Sequence, residues 1–173
     1  MLAFEHAKTV EAKSMKIIMP YLEFKHKGTR LVITSTGRLS KEIQKIYGDI
    51  FANRPDGELL AVELKAEEKN EHGNFFLETW SNRSRLTPGW MITLRADLLL
   101  YHFIDDDELY MIKLPDLQEW AFVDEKIYSY PEKCQKKREQ LNDTWGRCVP
   151  IVDIKTQVGW WLFHPQQQMD FED

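Results

Sequence analysis

The stretch of sequence that decides the fold spans residues 47–65 and reads Tyr-Gly-Asp-Ile-Phe-Ala-Asn-Arg-Pro-Asp-Gly-Glu-Leu-Leu-Ala-Val-Glu-Leu-Lys. Two apolar runs lie on either side of a five-residue loop, 53–57, which contains Pro-Asp-Gly. A loop of this kind between apolar runs predicts a β-hairpin. With a loop of this length, Asp49 in the first strand is expected to lie opposite Ala61 in the second.

Three charged side chains are expected on one face of this hairpin. Because side chains alternate along a strand, Asp49, Glu63 and Lys65 share a face, and the apolar residues between them take the core-facing side. The chain contains six acid-x-Lys triplets, but only the one at 63–65 ends an apolar strand that has an acid in its partner strand. The plain alternative is an exposed strand face with a Glu–Lys ion pair.

Two carboxylates and a lysine in this arrangement suit the hydrolysis of a phosphodiester. Mg²⁺ prefers oxygen ligands and keeps several waters, so Asp49, Glu63 and the backbone carbonyl of Leu64 are its predicted ligands. The metal would polarise both the water and the scissile phosphate. Lys65 would orient the attacking water or stabilise the developing negative charge. The sequence therefore predicts Mg²⁺ as cofactor, with Mn²⁺ as a substitute.

The order of Asp49 and then Glu63-x-Lys65 at the end of the next strand resembles the core of the PD-(D/E)xK, or restriction-endonuclease-like, nuclease superfamily. The stretches 63–67, 74–82 and 89–90 are similar to small resolvase-like or phage nucleases. Gly48 stands where the family has its proline. The resemblance implies an α/β fold, a mixed β-sheet flanked by helices, and a nuclease whose expected substrate is DNA. By analogy with related dimeric enzymes, a homodimer is a candidate assembly.

Further residues are candidates for the site. Many relatives carry a metal-binding Glu in the first helix, which makes Glu11 and Glu5 the candidates here. Glu78 is a candidate metal ligand or an acid that orients Lys65, and the alternative is that it pairs with a nearby arginine. Trp80 and Trp90 either stack on unpaired bases or belong to the core. The residues expected to contact nucleic acid are Arg83, Arg85, Gln44, Lys41 and Lys45.

Charge is unevenly distributed along the chain. The net charge of −5, taken alone, argues against a nucleic-acid partner. Residues 25–45, however, hold six Lys and Arg against one acid, and residues 79–96 hold three Arg and no acid. We expect these stretches to form basic surface beside an acidic site, with a mixed solvated surface as the alternative.

A chain of 173 residues predicts one domain over 1–173, with a nuclease-like core at about 3–125 and a C-terminal extension at 126–173. Its two cysteines lack metal-site spacing, and the sequence has neither a signal peptide nor an apolar run of membrane-spanning length, so we expect a soluble cytoplasmic protein with free thiols. Asp97 is expected to fix the end of the helix at 88–96. The predicted elements are helices at 3–19, 88–96 and 115–125 and strands at 30–35, 74–80, 97–104, 108–114 and 147–152, with 40–47 left open between a helical turn and a bent strand.

The strongest rival interpretation is a nuclease-fold protein that no longer cuts and binds DNA or a protein partner. The complete set of Asp49, Glu63 and Lys65 argues against it, because a dead site usually loses an acid or the lysine. An enzyme acting on nucleotides or sugar phosphates is a weaker alternative, since no glycine-rich phosphate loop is present.

Overall fold

The computed structural model of the protein describes residues 3–34, 38–135 and 143–170, without the side chains of residues 3–8, 38, 39 and 170. The described helices are α1 (Ala3–Lys25), α2 (Arg38–Tyr47), α3 (Trp90–Thr93), α4 (Leu114–Gln118), α5 (Ile151–Gln157) and α6 (Pro165–Asp170), with a π-helical turn at Glu119–Val123 and a 3₁₀ turn at Lys126–Ser129. The strands are β1 (Arg30–Ile33), β2 (Ile50–Asn53), β3 (Leu59–Glu67), β4 (Asn74–Asn82), β5 (Thr87–Pro88), β6 (Leu98–Phe103), β7 (Glu108–Lys113), β8 (Glu132–Cys134), β9 (Trp145–Pro150) and β10 (Trp161–Phe163).

The strands form two sheets in the described part of the chain. The main sheet has six strands in the order β1-β2-β3-β6-β7-β10, and the second has four in the order β5-β4-β9-β8. In the main sheet β3 pairs parallel with β6, whereas the other neighbours are antiparallel. The expected α/β architecture with a mixed sheet and flanking helices is therefore confirmed. The expected strand at 74–80 exists but lies in the second sheet.

Apolar residues pack on both faces of the main sheet. On one face α1 contributes Ile18 and Tyr21, which pack with Val62 and Leu64 of β3. The larger core lies on the other face and includes Phe75 and Leu77 of the second sheet. Glu63 and Lys65 alternate with Val62 and Leu64, so their side chains point toward the layer between the sheets.

Helix α1 continues beyond Pro20, where the sequence predicted its end. A proline inside a helix removes one hydrogen bond and costs about 3 kcal/mol. Ile18 and Tyr21 on either side of it are fully buried, and burial of each large apolar side chain contributes roughly 1.5–3 kcal/mol. Packing on the main sheet therefore outweighs the proline, and the helix ends at Lys25.

The hairpin of β2 and β3 forms, but its expected register is wrong by two residues. Phe51, rather than Asp49, lies opposite Ala61. The Arg54 amide donates to the Glu58 carbonyl at 2.8 Å, and the Arg54 guanidinium pairs with the Glu58 carboxylate, so the loop closes at 54–58. A shift of two preserves side-chain alternation, so Glu63 and Lys65 keep their common face, whereas Asp49 precedes β2 and its carboxylate accepts the Leu64 amide at the edge of β3.

The helix expected at 88–96 is wrong in extent, because α3 has a single turn. Pro88, expected to begin it, instead forms β5 with Thr87 against β4. Asp97 does not fix its end; the Asp97 carboxylate accepts the Ala61 amide N–H at 2.8 Å. The open region at 40–47 lies within α2, and the helix expected at 115–125 stops at Gln118 before the π-helical turn. None of the helices in the described ranges combines the length and apolar content that a membrane crossing needs.

Candidate active site

Gly48 sets the position of Asp49 at the start of β2. Its φ is +95°, and a Cβ there would lie 2.7 Å from the Val62 carbonyl oxygen and 3.0 Å from Glu63 Cα. Its amide donates to the Gln44 carbonyl at 2.9 Å and so closes the end of α2. Only glycine adopts this conformation at so close an approach to β3. A glycine directly after a helix is a recognised C-terminal signal, and it would have resolved the open assignment of residues 40–47.

The Asp49 carboxylate is buried and hydrogen-bonded on both oxygens. Gln44 Nε2 donates to Oδ1 at 2.6 Å, and the Leu64 amide donates to Oδ2 at 2.9 Å. The paired part of β2 begins at Ile50, opposite Val62, so the Leu64 N–H lies beyond the β2 ladder and Asp49 accepts it. Asp49 thus has a structural role at one edge of β3, as Asp97 has at the other.

Glu63 is a buried carboxylate, 5% exposed, that forms an ion pair with Lys65. Burial raises its pKa to about 7, and repulsion from Asp49 and Glu11 adds to this, although Lys65 opposes the shift. Burial is therefore the main reason that Glu63 holds its proton more tightly than a free carboxyl. Glu11 of α1 is half-buried and near enough to contribute, whereas the Glu5 side chain lies outside the described residues.

Lys65 is the most open member of this group, with a third of its side chain exposed. Its Nζ pairs with Glu63 and lies 5.4 Å from the centre of the Trp90 ring. Burial alone would lower the pKa of Lys65, but the negative charges of Glu63, Asp49 and Glu78 outweigh burial and raise it. The ammonium therefore stays protonated at neutral pH and faces three acids.

The second sheet contributes Glu78 of β4. Burial raises the pKa of Glu78, while Lys65 and a hydrogen bond from the Trp90 amide hold the rise back. A Cβ at Gly89 would lie 2.5 Å from the Glu78 carbonyl oxygen and 2.9 Å from its Cγ, so glycine lets α3 press against β4. From the sequence, Trp90 was expected either to stack on bases or to belong to the core, and Gly89 was not singled out as part of this arrangement.

The predicted nucleic-acid residues are only partly brought together. Gln44 contacts Asp49, as described above, and Lys45 pairs with Glu42 on the exposed side of α2 at 3.0 Å. Arg83 pairs with Glu132 at 2.8 Å and lies over the Trp145 ring, both in the second sheet. Lys41 and Arg85 are exposed to solvent. Their contact with nucleic acid stays a prediction.

Within the described ranges, no group of three or more His, Cys, Asp and Glu side chains is arranged to hold a metal ion. The oxygen donors that converge are the carboxylates of Asp49 and Glu63. The Leu64 carbonyl is a third, because the N–H and C=O of one strand residue point to the same edge and the Leu64 N–H meets Asp49. Mg²⁺ commonly takes one or two carboxylates and keeps its waters, so this donor set fits that ion.

The chain matches no protein-family model, no curated protein and no solved structure. The interpretation of the site therefore rests on its geometry and chemistry.

Proposed function

We propose that the protein is a metal-dependent nuclease that hydrolyses phosphodiester bonds, with DNA as the expected substrate and a restriction-endonuclease-like core. The observation that carries the proposal is that the buried Asp49 carboxylate accepts the amide of Leu64, the residue next to the buried Glu63, whose own carboxylate pairs with Lys65. Burying an acid costs free energy, and acids whose pKa is raised by burial, as that of Glu63 is, cluster at functional sites.

The proposed roles follow from the donor atoms. Asp49, Glu63 and the Leu64 carbonyl would hold Mg²⁺, for which Mn²⁺ would substitute, and the bound ion would supply a polarised water and phosphate. Gln44 fixes the Asp49 carboxylate through its 2.6 Å hydrogen bond. Lys65, the most exposed of the charged group, would meet the phosphate or the attacking water. Glu11 is placed to add negative charge to the site from α1.

The order of elements also supports the proposal. The family core that the sequence resembles has a helix, three strands, a helix and a strand. Helix α1, strands β1–β3, the short α3 and the parallel strand β6 follow that order, with α2 inserted between β1 and β2 and with β4 and β5 inserted between β3 and α3. Glu63 and Lys65 lie in the part of β3 that continues beyond its last β2 partner, Val62, where a cation held by Asp49 would reach them. A resolvase-like or phage-type endonuclease, acting as a homodimer, is the specific form of the proposal.

A second candidate function is that of a nuclease-fold protein that binds DNA or a protein partner without cutting. The observation that favours it is that Asp49 already has a structural role, with hydrogen bonds on both oxygens, and that Glu63 already has a cation partner in Lys65. A carboxylate oxygen accepts more than one hydrogen bond or ligand, so the hydrogen bonds of Asp49 do not exclude an ion, and at Glu63 an ion would replace Lys65 as the partner.

The experiment that separates the two candidates is cleavage of linear, circular, single-stranded and branched DNA and of RNA, with Mg²⁺ and with chelator. The nuclease predicts cleavage that chelator stops and that Mg²⁺ or Mn²⁺ restores. Lys65→Ala should abolish cleavage without loss of cation binding, whereas Asp49→Asn should weaken both. Binding of DNA by the wild type without cleavage of any substrate would favour the second candidate.

A further inference from the structure

Lys65 occupies the place beside Glu63 that a cation would need. The ammonium pairs with the Glu63 carboxylate, which is 5% exposed and therefore has little room for other partners. A divalent cation shared by Asp49 and Glu63 must contact the same carboxylate, and two positive charges at one carboxylate repel each other. The arrival of the cation therefore requires the ammonium to move away from Glu63.

A second group of contacts for the ammonium already exists on the side of the second sheet. The Lys65 Nζ lies 5.4 Å from the centre of the Trp90 ring, within the range of a cation–π interaction. The Glu78 carboxylate also attracts Lys65 and accepts the Trp90 amide N–H. The close approach of Gly89 to the Glu78 backbone and side chain holds the ring and the carboxylate in fixed relation to each other.

We infer that Lys65 exchanges partners. It neutralises Glu63 in the cation-free protein and transfers to Glu78 and the Trp90 ring when a divalent cation binds Asp49 and Glu63. The inference rests on the proposed function, because it takes the cation site from there. Glu78 and Trp90 are then positioning residues, which hold the ammonium next to the cation and its bound water.

A positioning role for Glu78 differs from the role of a third metal ligand. If Glu78 were a metal ligand, its substitution would weaken cation binding whether or not Lys65 is present. A positioning residue acts through Lys65, so its substitution should have no effect once Lys65 is gone. A double-mutant cycle therefore distinguishes the two roles.

The test is Mg²⁺ and Mn²⁺ affinity measured by calorimetry on the substrate-free protein. Lys65→Met should tighten binding by about tenfold, because it removes a competitor for Glu63, and Glu78→Gln should weaken it by a similar factor. In the Lys65→Met background Glu78→Gln should change affinity less than about twofold. Trp90→Leu should weaken binding more than Trp90→Phe, which keeps an aromatic face. Weaker binding by Lys65→Met, or an equal effect of Glu78→Gln in both backgrounds, overturns the exchange.

A second readout needs no substitution of Lys65. The proton signals of its ε-CH₂ group, close to the Trp90 ring, should move further upfield as Mg²⁺ is added and the ammonium settles over the ring. The movement should be absent in Trp90→Leu, and a signal that stays in place in the wild type during saturation overturns the exchange. A wild type that binds no cation overturns it too. If the cation binds with this pattern but no substrate is cleaved, the proposed nuclease activity is refuted and the exchange is not. If substrate is cleaved without this pattern, the exchange is refuted and the nuclease activity is not.

Discussion

Replacing Gly48 with alanine tests the geometry that sets Asp49 against β3. The φ of +95° costs an L-residue about 1–2 kcal/mol. The added Cβ would also lie 2.7 Å from the Val62 carbonyl oxygen and 3.0 Å from Glu63 Cα, and both are backbone atoms that cannot rotate away. Forcing the strands apart adds about 1–3 kcal/mol. Gly48→Ala should therefore lower the free energy of unfolding by about 2–5 kcal/mol.

Gly57 provides a matched control for this change. Its φ is +85°, and a Cβ there would have no atom within 4 Å, so Gly57→Ala carries the conformational cost alone. Urea unfolding followed by tryptophan fluorescence gives both free energies by linear extrapolation. We expect Gly48→Ala to lower the free energy of unfolding by about 1–3 kcal/mol more than Gly57→Ala does. It should also weaken cation binding, because Asp49 moves. Equal losses in the two variants would refute the close packing of Gly48 on β3.

Three further predictions concern titration and charge. Burial raises the pKa of Glu63 from 4.5 to about 7, so the folded protein keeps a proton that the unfolded chain loses; the contribution of Glu63 to stability should fall as the pH rises through this window, and Glu63→Gln should remove that contribution from the pH dependence of urea unfolding. Burial lowers the pKa of His102 from 6.5 to about 4, so the contribution of His102, which has the opposite sign, should be lost as the pH falls from 6.5 to 4, and an unchanged slope in His102→Gln would contradict this. Arg83→Ala removes a partly exposed ion pair and should cost about 0–1 kcal/mol. Combined with Arg85→Ala it should weaken DNA binding and reduce the slope of log affinity against log salt by about 0.7–0.9 per lost contact, whereas lowered stability with unchanged affinity would assign both arginines to the fold.

Glu63 and Lys65 share a face of β3, as the sequence predicted, although the hairpin register lies two residues away from the predicted one. Alternation of side chains has a period of two, so an even error leaves the face unchanged. The loop position depended on contacts of Arg54 with Glu58 that the turn residues alone did not reveal. Local patterns thus determine which residues face the site, and tertiary hydrogen bonds determine how the strands align.

Local sequence patterns did not reveal how the second sheet brings its residues to the site. Glu78 reaches Lys65 because β4 leaves the main sheet and pairs with β9, which follows it by more than sixty residues. The sequence at 88–96 carries a proline and apolar spacing typical of a helix, yet the Gly89 amide donates to the Thr79 carbonyl at 2.8 Å. Pairing between distant segments overrides local propensity at such positions.

The most direct measurement of the nuclease proposal is Mg²⁺-dependent cleavage of duplex, single-stranded and branched DNA by three preparations purified in parallel: the wild type, Glu63→Gln and Asp97→Asn. Asp97 accepts a β3 amide N–H as Asp49 does, but it lies outside the acid group. Asp97→Asn therefore shows the effect of changing a carboxylate that only supports the edge of β3. The proposal predicts cleavage by the wild type and by Asp97→Asn and none by Glu63→Gln. No cleavage by the wild type, or equal cleavage by Glu63→Gln, would contradict it.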